Sequence, residues 1–252
     1  MLNVIQSENL KYKHTFSQKL VLIAPLFIVL YAIIVKLFIP AVVGTPWDFF
    51  LCMVFSWWPL IFIPLGTALL CTLAEMREKK AGNYRSLRTY NLSASALWFS
   101  KITVLALYTL LSSVTMIFTT LIAGSLFAQG TVPIGKIIEA SAIIWLVSLS
   151  IIPIQLFAAA WKGTVVAVVL GLFGLFTGVI AAPKPFWIFV PWSWPMRLMS
   201  PIIGVHPNGI PLEAGDPLLN PSVIPVGIAI SLAFFVVTAV LTTIWFAKRE
   251  VC

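Results

Sequence analysis

The sequence predicts an all-α integral membrane protein of six transmembrane helices, on three observations. Six long apolar runs divide the chain: Leu20–Pro40, Phe49–Ala74, Ile102–Ala128, Ile137–Ala160, Gly163–Ala182 and Val223–Ala247. Each is about as long as a hydrocarbon core of roughly 30 Å requires of a helix. The composition is 60% hydrophobic and only 10% charged, with a mean hydropathy of +1.03. The charge that remains lies between the runs and mostly on one side. The spans must be helices, because hydrocarbon offers no partner to an unpaired backbone group. Strands of a membrane barrel would alternate in short segments instead. No connection is long enough for a soluble domain, so residues 1–252 read as a single transmembrane domain.

Taking the elements in order, Leu2, Ile5, Tyr12 and Phe16 fall near one helical face, with Lys11 and Lys13 placed to reach lipid headgroups. This suits an N-terminal interfacial helix; a frayed tail with retention charges is the plain alternative. The first span has no small-x-small cleavage site and reads as a retained signal anchor. The second carries Pro59 and Pro64, which remove backbone hydrogen bonds and predict a kink. The freed carbonyls, with Ser56, Trp57, Trp58 and Thr67, are candidates for lining a substrate path.

Glu75–Lys101 mixes both charge signs with Tyr84, Leu87, Tyr90, Leu92 and Trp98. Tyr84 and Leu87 share a helical face flanked by Arg85 and Arg88, as in a short helix that seats in a partner's groove. A solvated loop that sets topology is the alternative. Ser93 is placed to cap the third span, with Trp98 at the interface and Lys101 at its mouth. Ser112, Thr115 and Thr119 form a stripe on that span, either along a path or bonded to the helix's own carbonyls.

Gly130–Lys136 fits Gly-x-x-x-x-Gly-Lys, but Ile137 follows where a Ser or Thr would bind magnesium, and no strand precedes it. It is not a phosphate loop. Gly174 and Gly178 in the fifth span form a Gly-x-x-x-Gly that lets helices approach closely. The nine prolines of Pro183–Ser222 forbid a continuous helix there, and Trp187, Trp192 and Trp194 favour the headgroup boundary. Glu213 and Asp216 either attract a cationic peptide or are merely solvated.

Basic residues set the orientation. With a cytoplasmic N-terminus, the inner side holds Lys11, Lys13, Lys19, Arg77, Lys79, Lys80, Arg85, Arg88, Lys101, Lys162, Lys248 and Arg249. Lys36, Lys136, Lys184 and Arg197 are left outside. The eight acidic residues divide evenly, so the net charge of +8 falls on the cytoplasmic face. Both termini are then inside, and the basic balance reflects topology and anionic lipid rather than nucleic acid.

The chain shows no chemistry of its own. His14 and His206 are far apart, no metal-ligand spacing is present, and no motif of a nucleophilic hydrolase or zinc protease appears. Cys52 and Cys71 sit about 28 Å apart along one helix and cannot pair. No carboxylate interrupts the middle of a span, which disfavours a proton-coupled carrier. Any transport must therefore draw its energy from a partner.

An amphipathic N-terminal segment, six spans, acidic Glu75 and Glu78 opening the second loop, Gly82, a short aromatic helix and a closing Lys101 together resemble the ABC-2 type permeases of ABC exporters. The resemblance implies that the loop is a coupling helix docking on a partner ATPase, through Glu75, Glu78, Tyr84, Arg85, Leu87, Arg88 and Tyr90. It also implies a re-entrant outer segment between spans five and six, with Trp192, Trp194 and Arg197 capping the path. ATP and magnesium would then be bound by the ATPase, in two copies, and no cofactor by this chain. Trp57-Trp-Pro-Leu-Ile-Phe-Ile-Pro64, Glu75-Met-Arg-Glu-Lys-Lys-Ala-Gly-Asn-Tyr84 and Pro191-Trp-Ser-Trp-Pro-Met-Arg-Leu-Met-Ser-Pro201 resemble the lantibiotic-immunity permeases of the MutE/EpiE group. That narrower likeness implies a sister permease, a Gram-positive plasma membrane, and expulsion of lantibiotics or other cationic peptides. A membrane sensor or sequestering subunit that binds a peptide without moving it is the alternative.

Overall fold

The computed structural model describes residues 1–38, 46–82, 93–128 and 130–251. The chain starts with α1 (Leu2–Leu10) and α2 (Phe16–Phe38). Next come α3 (Pro46–Trp57), a wide-turned π-helix (Trp58–Gly66) and α4 (Thr67–Lys80). They are followed by α5 (Ala94–Phe127), α6 (Ile134–Ser148), α7 (Ile151–Lys162) and α8 (Thr164–Ala181). A 3-10 turn (Pro185–Phe189), α9 (Ser193–Ile203), a second 3-10 turn (Pro217–Leu219) and α10 (Val223–Val251) complete it. Among the described residues five helical units are long and apolar enough to cross a membrane, and α6 with α7 makes a sixth when the bent pair is counted as one span.

Two spans depart from straight helices, each for a local reason. The second is one unit, Trp47–Lys80, and its regular α-helix is interrupted where Pro59 and Pro64 were expected to kink it. Neither proline can donate to the i−4 carbonyl, and the backbone widens into π-turns over Trp58–Gly66 instead. The fourth span, expected as one helix over Ile137–Ala160, is bent by 43° between α6 and α7. Pro153 has no N–H for the first turn of α7. The Ser148 and Ser150 hydroxyls donate back to the Trp145 and Val147 carbonyls, at 3.0 and 2.6 Å.

The bundle has two chemically distinct ends. At the basic end, α1 lies on α5, Arg77 reaches Ser17, and Arg249 Nη1 donates to the Ala160 carbonyl at 2.8 Å. Gly163 turns the chain there from α7 into α8 with φ 86°, and its Cα faces Lys79 Nζ. Tyr12, Trp98, Leu105 and Phe246 fill the core beneath this end. At the opposite, proline-rich end a second core holds Trp47, Phe50, Phe55, Trp58 and Trp194. There α9 lies inward against α3, α6 and α8.

The small-residue stripe of α8 is what lets α9 in. The Trp192 indole rests on Gly174, and Gly178 faces the Trp192 carbonyl, which a Cβ would meet at 2.9 Å. Gly178→Ala should therefore cost about 1–3 kcal/mol as overpacking against backbone. Gly135→Ala, in open space on the first turn of α6, should be neutral or stabilising by up to about 1 kcal/mol. Thermal midpoints of the detergent-solubilised variants check this; equal midpoints would contradict the contact.

Candidate functional site

The residues with the greatest chemical consequence meet at the basic end. Glu75 and Glu78 are three apart on α4 and share a face, which the sequence alone predicts. Glu8 comes from α1, and Lys101 comes from the second turn of α5. All four are buried, with 4% exposure or less. Lys101 Nζ lies 3.1 Å from Glu78 Oε1, 3.5 Å from Glu8 Oε1 and 3.6 Å from Glu75 Oε1. Lys11, on the turn after α1, bridges Glu8 Oε2 at 2.7 Å and Glu78 Oε1 at 2.6 Å. An ion taken out of water costs several kcal/mol, so such a group persists only where opposite charges meet it with good geometry. Burial by itself would lower the Lys11 pKa, but Glu8 and Glu78 outweigh it and raise the value above that of an ordinary lysine.

A ring of aromatic contacts closes this cluster. Tyr12 is fully buried, stacked on Tyr108 at 4.5 Å between centroids, with the Arg77 guanidinium 3.9 Å from its own ring. Burial pushes the Tyr12 hydroxyl well above its ordinary pKa. Trp98 stacks on Phe246 at 4.5 Å and donates its indole N–H to Thr242 at 3.0 Å, tying α5 to α10. Ser93 caps α5 as its sequence predicts, accepting from the Ala96 amide at 3.2 Å.

These positions correct several expectations. Leu2, Ile5, Tyr12 and Phe16 do not share one lipid-facing side: Leu2 and Phe16 are exposed, whereas Tyr12 is buried. Lys11 turns to carboxylates rather than to headgroups. Glu75 and Glu78 are directed inward to Lys101, so they stabilise the root of the loop and are not surface contacts for a partner. Trp98 and Lys101 are buried within the protein. Tyr84, Arg85, Leu87, Arg88 and Tyr90 lie outside the described residues.

Midway along the bundle, Trp58, Thr67 and Ser112 converge, with Ser113 and Ser148, on a cavity of about 40 Å³ between α2, the π-helix, α5 and α6. It has room for a few waters, not for a peptide. Ser112 Oγ donates to the Val21 carbonyl at 2.9 Å, across to α2. Thr115 and Thr119 bond to the Leu111 and Thr115 carbonyls of their own helix at 2.9 Å and do not line the cavity. Trp57 packs edge-on against Tyr31, and Ser56 is buried next to Gly209 of the outer segment.

At the proline-rich end Trp192 and Trp194 are interior, 8% and 1% exposed. Trp194 donates to the Ile188 carbonyl at 3.0 Å and meets the Phe234 ring edge-on. Arg197 donates to the Leu218 carbonyl at 2.9 Å and lies over Trp187. Burial lowers its pKa, with Asp216 opposing. These rings therefore hold the cap in place and do not present contact area to a ligand. Phe186 and Phe189 are the exposed aromatics of the segment. Asp216 caps the second 3-10 turn through the Leu218 amide at 2.8 Å, and Glu213 is exposed.

The sequence reading passed over Gln155, wholly buried in α7. With its amide oriented to satisfy both ends, nitrogen donates to the Ala167 carbonyl at 3.0 Å and oxygen accepts from the Gly171 amide at 3.3 Å. It inserts into one backbone step of α8. A lone glutamine within an apolar run was the available signal, since an intramembrane polar group must find a partner.

Comparison with known proteins adds one finding. A family model described as "ABC-2 family transporter protein" matches residues 4–178, from α1 through most of α8 and including the whole ion cluster. Among curated proteins and solved structures, no match is found.

Removing one member of the cluster should expose its energetics. Lys101→Met leaves three buried carboxylates short of a cation and should destabilise by about 3–5 kcal/mol. Adding Glu78→Gln to that variant should recover part of the loss. Thermal unfolding in detergent reads both; a neutral single variant would remove the cluster as a structural device.

Proposed function

The chain belongs to the ABC-2 family of transporter proteins, which makes it a membrane transport subunit that associates with an ABC ATPase, and we propose that it belongs to an exporter of lantibiotics or other cationic antimicrobial peptides. The observation that carries the subunit assignment is the family match over residues 4–178. In this reading the chain pairs with a sister permease and two ATPase copies in the plasma membrane of a Gram-positive bacterium. The basic end faces the cytoplasm, where ATP and magnesium are held by the ATPase. The segment of residues 83–92, with Tyr84, Arg85, Leu87, Arg88 and Tyr90, is the docking element.

Two features support that division of labour. The docking segment leaves α4 just beyond Lys80 and returns at Ser93, so Glu78 and Lys101 stand at its two roots and share one buried cluster. A force applied there reaches α1, α4 and α5 together. At the other end, exposed Phe186 and Phe189 with Glu213 offer apolar and acidic surface to an amphipathic cation. The cavity near Thr67 is far smaller than a peptide, which favours expulsion from the outer surface or between subunits over passage through this bundle.

Leu87→Asp with Tyr90→Ala should release the ATPase by about thirtyfold or more, since a truncated interface anchor often costs ~2 kcal/mol. Quantitative co-purification decides it, and unchanged recovery would sink the docking assignment. In a sensitive host the full complex should raise the inhibitory concentration of a lanthipeptide only with a catalytically competent ATPase. Protection that survives a dead ATPase would instead identify a sequestering binder. Glu213→Cys should react with an impermeant maleimide in intact cells; reaction only after permeabilisation would invert the orientation.

A further inference from the structure

Five hydroxyls border the cavity between α2, the π-helix, α5 and α6. Thr109, Ser112 and Ser113 are three and four apart on one face of α5. Thr67 opens α4 where the π-helix ends, and Ser148 closes α6 at the bend of the fourth span. Three of the five are committed to backbone. Thr109 donates to the Ala106 carbonyl at 2.9 Å, Ser112 to the Val21 carbonyl at 2.9 Å and Ser148 to the Trp145 carbonyl at 3.0 Å. A hydroxyl that donates its proton still has lone pairs to accept with. Ser113 and Thr67 make no hydrogen bond among the described residues, although each is only 5% exposed. A hydroxyl out of water without a partner is costly, and these two border open space rather than packed atoms. One enclosure therefore presents two free donors and three acceptors.

Size and charge identify what fits there. No lining side chain is charged, so an ion would lack a counter-charge. The space of about 40 Å³ admits about three waters and no larger polar solute. Cavities that stay dry are lined by apolar groups alone; here hydroxyls stand among Leu20, Ala24 and Ile63.

We propose that Ser113 and Thr67 hold ordered water inside the bundle, donating to it while it donates in turn to the Thr109, Ser112 or Ser148 oxygens. Such water joins α4, α5 and the bend of the fourth span through hydrogen bonds that their side chains do not make directly. The site is independent of what the complex transports.

The test is radiolytic footprinting of the full-length chain in lipid nanodiscs, read by mass spectrometry. Pulsed radiolysis turns bound water into hydroxyl radicals, which oxidise the aromatic ring beside it. Trp58 lines the cavity and is 5% exposed; Trp98 is 0% exposed, lies outside the cavity and serves as the buried reference. Trp58 should be oxidised well above Trp98 in the wild-type protein. Thr67→Val with Ser113→Ala should lower that labelling about fivefold, the weight of a lost hydrogen bond. Thr115→Val, on the same helix but away from the cavity, should leave it unchanged. A rise in Trp98 labelling would report misfolding of the double variant, and Ser113→Ala alone, which removes a single atom, then carries the same reading. Wild-type labelling of Trp58 no faster than that of Trp98 would show a dry cavity and overturn the proposal. Unchanged labelling without the two hydroxyls, or an equal loss in Thr115→Val, would overturn it as well.

Discussion

Three carboxylates cannot be buried together at the end of an apolar bundle unless cations meet them. Glu8, Glu75 and Glu78 satisfy that constraint through Lys101 and Lys11, and in doing so they join α1, α4 and α5. Apolar burial alone would not fix α1, whose outward residues include Met1 and Leu2. Its position follows from charge, reinforced by Tyr12 against Tyr108. Losing one partner of such a cluster leaves an uncompensated buried charge and costs about 3–5 kcal/mol. The cluster lies where the chain enters and leaves residues 83–92.

The regular helices of the bundle are modified elsewhere. The π-turns at Trp58–Gly66 and the bend between α6 and α7 each interrupt a regular ladder in a different span, and Gln155 bonds to the backbone of α8. The π-helix lines the small hydroxyl-bearing cavity and abuts α8, where Gly171 faces the Pro64 carbonyl. At the far end α9 packs against α3, α6 and α8 with Trp192 and Trp194 buried.

Much of this architecture was legible in the sequence. Six apolar runs gave the spans, because hydrophobic length is an almost sufficient signal for a helix in lipid. Ser93 as a cap, Gly174 and Gly178 as a close-packing pair, and the prolines that break the segment between α8 and α10 were readable for equally local reasons. The bend of the fourth span was not, since Ser148, Ser150 and Pro153 scarcely alter hydropathy. The ion cluster was half visible: Glu75, Glu78 and Lys101 were singled out, but spacing along one chain does not reveal that Glu8 and Lys11 return to them. Charges near a helix end look solvated in a sequence, and only tertiary structure shows them enclosed. Trp192 and Trp194 misled for a related reason, because tryptophan's interfacial preference does not distinguish an exposed ring from one folded inward.

The central claim is that buried charge welds the N-terminal helix to the second and third spans. Amide hydrogen exchange across Leu2–Leu10 of the purified, unliganded wild-type protein tests it most directly. The account predicts exchange slowed to the level of the adjoining ends of α4 and α5, with protection lost cooperatively across all three. Exchange of Leu2–Leu10 at the rate of an unstructured peptide, beside protected α4 and α5, would contradict it.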